Sequence, residues 1–261
     1  MPSGVSKPSA NGETPVLAVR GISKSFGGLV AVDDVSLDLR PGVVHAIIGP
    51  NGAGKTTFFN LITGLLTPDT GQVILEGDDI TGAAPWRLVK RGLGRSFQQT
   101  NLFWALSALD NVTLADAAVN DETLRIYGSH SSAFRDRAHS LLERVGLSSY
   151  AGFPATDLSH GDQRSLEIAT ALAVESRLLL LDEPTAGLSP TETRLAVKLI
   201  RRIATEQNLT VLFVEHDMEV VFGIADWITV LHHGAVLAEG TPDEIRNNAD
   251  VQAAYLGPDD V

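Results

Sequence analysis

The stretch Gly49 to Thr57, GPNGAGKTT, constrains this chain more than any other; it follows the apolar run Val43 to Ile48 and leads into a helix-like stretch from Thr57 to Leu66. That order of strand, glycine loop and helix belongs to an α/β fold. Gly49, Gly52 and Gly54 have no Cβ, so the loop can take backbone angles closed to other residues and turn successive amides into one concave anion site. Lys55 has the reach to meet β- and γ-phosphates as a point charge, Thr56 can offer its hydroxyl to Mg²⁺, and the helix points its positive end at the same group. Pro50, Asn51, Ala53 and Thr57 complete the cradle. An ordinary glycine-rich turn needs neither the Gly-Lys-Thr ending nor its spacing from Gly49, so the motif predicts nucleotide binding.

The length of 261 residues with 44% hydrophobic content suits one large domain with a substantial core. Thirty-two acidic against 20 basic residues give a net charge of -12, which argues against broad contact with a nucleic-acid backbone. The chain has no cysteine, hence no disulfide framework and no thiolate metal site, in keeping with a reducing cytoplasm. Residues 1–14 hold no apolar signal core and read as a disordered tail, with a short second tail at 257–261. No apolar run approaches the roughly 20 residues that span a bilayer, so a membrane role is expected to be peripheral, through another subunit.

Val16 to Arg20 and Val35 to Leu39 alternate as half-buried strands, with Phe26-Gly27-Gly28 as a turn and Phe26 as a candidate exposed aromatic. Thr67 to Gly71 reads as a turn and Gln72 to Gly77 as a strand. From Trp86 to about Ser159 the pattern turns helical. It is clearest where Ala138, Leu141, Leu142 and Val145 share a face and Gly146 follows as a stop. This predicts a helical lobe, about 86–159, inserted into a sheet domain. Leu178 to Leu181 and Val211 to Val214 read as buried parallel strands, and Trp227 to Leu231 is expected to pair with Ala235 to Glu239 across His233-Gly234.

Four further constellations bear on the nucleotide. The apolar run Leu178 to Leu181 ends in Asp182-Glu183. Ligands sit beyond the carboxyl ends of strands in such sheets, so Asp182 can meet a Mg²⁺ shell and Glu183 a water attacking the γ-phosphate. Leu158-Ser159-His160-Gly161-Asp162-Gln163 opens a helix with Ser159 as N-cap, and capping alone also accounts for that serine. His216 closes a buried run, where a lone histidine is more often structural than catalytic. Gln98 and Gln99 precede the helical stretch, a place equally suited to a solvated loop.

Taken together and in this order, residues 15–256 resemble the ATP-binding cassettes of ABC transporters. GPNGAGKTT is similar to Walker A, LLLLDE to Walker B, Gln98 to the Q-loop glutamine, LSHGDQ to the signature and His216 to the switch histidine. Phe26 is similar to the aromatic that stacks on adenine. Arg95-Ser96-Phe97-Gln98, LDEPTAGLSPTET and EIRNNADVQAAYLG resemble the ATPases of branched-chain amino acid (Liv-type) importers. The resemblance implies a P-loop α/β cassette with a mixed or parallel sheet core, an antiparallel β subdomain and an inserted helical subdomain. It implies ATP and Mg²⁺, with Thr56, Gln98 and Asp182 at the metal, Glu183 as general base and His216 at the γ-phosphate. It also implies two cassettes meeting head to tail, so that Ser159 and Gly161 of one face the Walker A loop of the other. The expected setting is the cytoplasmic face of a bacterial membrane, with permease subunits, a second cassette and, indirectly, a periplasmic solute-binding protein as partners. Leu102-Phe103-Trp104 suits either the permease contact or the lobe's own core.

Two departures stand out. His160 and Asp162 replace the usual Gly and Gln of the signature, and the histidine adds bulk to the loop. Ser189 replaces the usual Asp of the D-loop, but Ser189-Pro190-Thr191-Glu192 makes a capping box that keeps the helix start. A cassette for urea, lipopolysaccharide or another solute, or a soluble non-transport ABC ATPase, is the competing reading; a single cassette with a net charge of -12 disfavours the latter.

Overall fold

The computed structural model describes residues 14–96, 102–119, 131–174 and 176–256. Gln98, and the expected tails apart from residue 14, lie outside them. The chain divides into two compact units, one of residues up to 88 with those from 216 onward, the other of residues 89–215.

The first unit opens with an antiparallel sheet. Strand β1 (Leu17–Phe26) lies between β2 (Leu29–Leu39) and β4 (Thr70–Leu75), and β5 (Asp78–Asp79) extends it. Gly27 takes φ +60 in the tight turn after Phe26, the conformation glycine adopts without strain. Leu17, Ala18 and Val19 are all buried, so β1 begins covered on both faces rather than alternating as its sequence suggests. Strand β3 (Val44–Ile48) is wholly buried and runs parallel to β9 (Trp227–His232). In turn, β9 pairs antiparallel with β10 (Ala235–Gly240) across the predicted His233-Gly234 turn. Helices α1 (Lys55–Ile62), α2 (Pro85–Val89), α7 (Met218–Ile224), α8 (Pro242–Arg246) and α9 (Ala249–Leu256) complete this part of the element order.

In the second unit β7 (Leu178–Asp182) lies between β6 (Leu93–Ser96) and β8 (Thr210–Val214), all parallel. Every residue of β7 and β8 is buried, as expected for continuous apolar strands covered on both faces. Helices α3 (Ala108–Val119), α4 (Ser131–Arg144) and α5 (His160–Leu172) pack on one another between β6 and β7 in the chain. The helical insertion therefore differs from the expected span of 86–159. Strand β6 interrupts its beginning, and α5 extends it past Ser159, because α5 packs against α3 and α4. Helix α6 (Pro190–Gln207) buries Ala196, Leu199, Ile200, Ile203 and Ala204, a single stripe at helical spacing.

Candidate functional site

Glycine sets the shape of the phosphate loop through close packing. Gly49 has φ +154, and a Cβ there would meet the Leu231 carbonyl oxygen at 2.2 Å. Gly54 has φ +98, and its Cβ would meet the Ala31 oxygen at 2.3 Å. The loop is laced to its surroundings by Gly234 N–H donating to the Ala53 carbonyl at 3.1 Å and Asp33 N–H to the Gly234 carbonyl at 2.8 Å. Gly54 is the N-cap of α1 and supplies no side chain to its first amides, which leaves the positive end of α1 for an anion.

Lys55 is buried, and its ammonium donates to the carbonyls of Gly49 at 2.6 Å and Pro50 at 2.9 Å. Its charge is thus held at the loop by neutral oxygens that phosphate oxygens can replace. Thr56 is exposed in the first turn of α1. Phe26, at the end of β1, is 47% exposed, with Lys24 Nζ 5.8 Å from its ring centroid, so an aromatic face is presented as expected. His216 is exposed just before Asp217, which caps α7 by accepting from Glu219 and Val220 amides at 2.8 and 3.4 Å.

Sequence reasoning missed Tyr255. Its phenol is hydrogen-bonded to the Gly49 main chain, and burial pushes its pKa up to about 12. Nothing local marks this contact, since α9 follows the loop by some two hundred residues and only packing joins them.

In the second unit Asp182 is buried at the end of β7, and Arg95 lies 3.9 Å from it. Burial pulls the Arg95 pKa below its ordinary value, and the Asp182 charge partly restores it. Glu183 follows in the left-handed region at φ +49, where a non-glycine residue is uncommon and where strain gathers at functional positions. Its amide donates to the Val214 carbonyl at 2.9 Å, and its carbonyl accepts from Arg164, which also pairs with Glu167 at 2.6 Å. No cluster of three metal-ligating side chains occurs among the described residues. Asp182 is a buried carboxylate and Thr56 an exposed hydroxyl, each by itself an oxygen donor of the kind Mg²⁺ takes.

Ser159 caps α5 as predicted, but its hydroxyl is engaged locally. It accepts from the Asp162 amide at 3.2 Å and donates to the Asp162 carboxylate at 2.7 Å. The Gly161 amide donates to Glu192 Oε1 at 3.3 Å, while Glu192 Oε2 accepts from the Ser189 amide and hydroxyl at 2.9 and 2.6 Å. These bonds hold the Glu192 carboxyl below its ordinary pKa, those from Ser189 contributing most. Two carboxylates, of Asp162 within the segment and of Glu192 from α6, thus bond the Ser159–Gly161 turn. The capping box showed why Glu192 meets Ser189; its second oxygen reaching Gly161 depends on the packing of α5 against α6. His160 is exposed and begins α5 without entering this network of bonds.

The loop, the strand-end carboxylates and the capped serine occur in a chain whose residues 32–186 match the family described as ABC transporter. This chain belongs to that family. Residues 235–260 of the cassette also match the family described as branched-chain amino acid ATP-binding cassette transporter. The cassette is 43% identical to the high-affinity branched-chain amino acid transport ATP-binding protein LivG of Salmonella typhimurium, over 93% of this chain and 98% of LivG. Its fold matches the ADP conformation of MJ1267, an ATP-binding cassette of an ABC transporter, with a TM-score of 0.84, 30% identity and 93% and 99% of the two chains covered. It matches a dimeric structure of MJ0796 bound to ADP and Pi with a TM-score of 0.73, 29% identity and 87% and 98% covered. The α/β cassette fold expected from the sequence is therefore the fold found.

Proposed function

We propose that this cassette hydrolyses ATP with Mg²⁺ to energise uptake of branched-chain amino acids. The observation that carries the reading is the buried Lys55, held in a glycine-shaped loop by two carbonyls, in a chain similar to LivG along nearly its whole length. Gly49 to Thr57 bind the phosphates, and Phe26 stacks on the base. Thr56, Asp182 and Gln98 hold Mg²⁺, which neutralises charge developing on the phosphate oxygens. Glu183 takes a proton from the attacking water, and its strained backbone supports a fixed orientation for that carboxylate. His216 contacts the γ-phosphate.

Two cassettes share each nucleotide, with Ser159 and Gly161 of one facing the phosphate loop of the other. The dimeric MJ0796 structure supports such pairing. No helix among the described residues is long and apolar enough to cross a membrane, which supports a peripheral subunit carried by integral-membrane permeases on the cytoplasmic face. Trp86, Phe103 and Trp104, exposed by 59, 56 and 42%, are the side chains offered to those permeases. A periplasmic binding protein delivers the solute, and nucleic acid has no part.

Glu183→Gln tests the mechanism, because it keeps shape while removing the base. Hydrolysis falls by about 10² or more while ATP still binds, and the dimer accumulates in sedimentation with Mg²⁺ and ATP. A monomeric Glu183→Gln protein at saturating ATP, with its partner cassette present, overturns the shared-site reading.

A further inference from the structure

Asn111, at the start of α3, is buried and hydrogen-bonded through both ends of its amide. Its Oδ1 accepts from the Phe103 N–H at 2.8 Å, and its Nδ2 donates to the carbonyls of Phe103, Leu106 and Ser107 at 3.1, 3.3 and 3.0 Å. One side chain thus fixes the loop 103–107 onto α3, and burial makes those bonds costly to leave unmade. Phe103 and Trp104 stand exposed on the loop so held.

The same loop is bonded to the segment that leads into Ser159. The Ala108 amide donates to the Phe153 carbonyl at 2.9 Å, and the amides of Ala155 and Thr156 donate to the carbonyls of Leu106 and Trp104 at 3.0 and 3.3 Å. Residues Ala155–Asp157 then make a single 3₁₀ turn. Gln163 holds this turn from the α5 side, its Nε2 donating to the carbonyls of Ala155 at 3.3 Å and Leu158 at 3.0 Å. The Gln163 main-chain amide donates to the Ser159 carbonyl at 2.8 Å, so the residue that holds the turn also closes the first turn of α5. All of these residues belong to the second unit. An N-cap works only when the chain enters the helix at the right angle, and here that entry is set by two side-chain amides, one of them on a different helix.

We infer that Asn111 and Gln163 are positioning residues for the signature serine. By bonding the loop 103–107 and the 3₁₀ turn into one piece, they set where Ser159 and Gly161 stand at the start of α5. The inference rests on the shared-site reading, in which those two groups meet the phosphates held by the partner cassette. It adds a consequence for coupling: Phe103 and Trp104, offered to the permeases, stand on the same bonded piece as the serine, so a displacement of their loop carries Ser159 with it.

Asn111→Asp and Gln163→Met, made in the full chain, test the two ends of this arrangement. The first keeps the shape and the acceptor for Phe103 but loses the amide protons; the second keeps length and helix propensity while removing both side-chain donors. In the nucleotide-free protein, hydrogen exchange at the Gln163 main-chain amide, read by NMR, rises about tenfold or more in Asn111→Asp. In the Glu183→Gln background, sedimentation with Mg²⁺ and ATP shows each variant needing about tenfold or more ATP for half-maximal dimerisation. Affinity of the dilute monomer for a fluorescent ATP analogue stays within about twofold of the parent. A merely structural role would lower the melting temperature and leave exchange and dimerisation at their parent values. Parent-like exchange in folded Asn111→Asp, or parent-like dimerisation of Gln163→Met, overturns the inference; should Asn111→Asp not fold, Gln163→Met decides it. A Glu183→Gln parent that stays monomeric refutes the shared site, and the serine's role with it, before either variant is made, which keeps the two failures apart.

Discussion

Replacing Gly54 by alanine separates the geometric account of the phosphate loop from a compositional one, with Gly52→Ala as the matched control. Both glycines have positive φ, +98 and +80, so each alanine incurs left-handed backbone strain of about 1–2 kcal/mol. Only Gly54 meets a wall. Its added methyl would stand 2.3 Å from the Ala31 oxygen, where ordinary contact begins near 3.4 Å, whereas nothing lies within 4 Å of a methyl at Gly52. Relieving that overlap means moving the loop from β2 by about 1 Å, against the Ala53–Gly234–Asp33 hydrogen bonds, and such overpacking costs about 1–3 kcal/mol. The total for Gly54→Ala is about 2–5 kcal/mol, a fall in melting temperature of roughly 4–15 °C for a chain of this size. Gly52→Ala loses only about 2–6 °C. Because Gly54 adjoins Lys55, its movement also carries Nζ off the loop, so affinity for a fluorescent ATP analogue falls about tenfold or more in Gly54→Ala. It changes less than about threefold in Gly52→Ala. Equal melting curves and equal nucleotide affinities for the two variants would refute the packing argument.

Three further outcomes follow from particular contacts. His45 is buried against the Thr229 hydroxyl at 2.8 Å, and burial, aided by Arg40, lowers its pKa from 6.5 to about 3. The unfolded chain then binds a proton that the folded chain refuses between those values, so stability falls as pH drops below about 6.5, by about 2 kcal/mol at pH 5. Glu239, raised by burial, opposes this by gaining stability as pH falls through its folded pKa. Urea midpoints should therefore drop between pH 7 and 5 in the wild type more than in His45→Gln, and equal drops exclude the histidine as the cause. Glu192→Gln, made in the Glu183→Gln background, frees the Gly161 amide of a charged acceptor and should lower the ATP concentration for half-maximal dimerisation in sedimentation; an unchanged or higher concentration counts against the shared site. Phe26→Ala should weaken ATP binding about tenfold through lost stacking while leaving the melting temperature nearly unchanged, and equal affinity would remove Phe26 from the site.

Motifs whose physics is local were legible in the sequence. The strand–loop–helix order around GPNGAGKTT, the caps at Ser159 and Ser189, the β9–β10 turn and the buried leucine strand each follow from neighbouring residues, because turn conformation, capping and side-chain period act over a few positions. Those elements appeared where expected. Tertiary structure decided the rest. Strand β6 is only four residues long and shows its nature through parallel pairing with β7, whose sequence lies some eighty residues away. Helix α5 joins the helical insertion because its buried face meets α3 and α4, which no local period announces. Tyr255 on Gly49 and Glu192 on Gly161 are contacts between distant segments, and a hydrogen bond of that kind leaves no spacing in the chain to read. The sequence alone named the residues proposed to bind and cut a phosphate; packing decided which carboxylates and phenols stand beside them, since burial and proximity are properties of the folded arrangement.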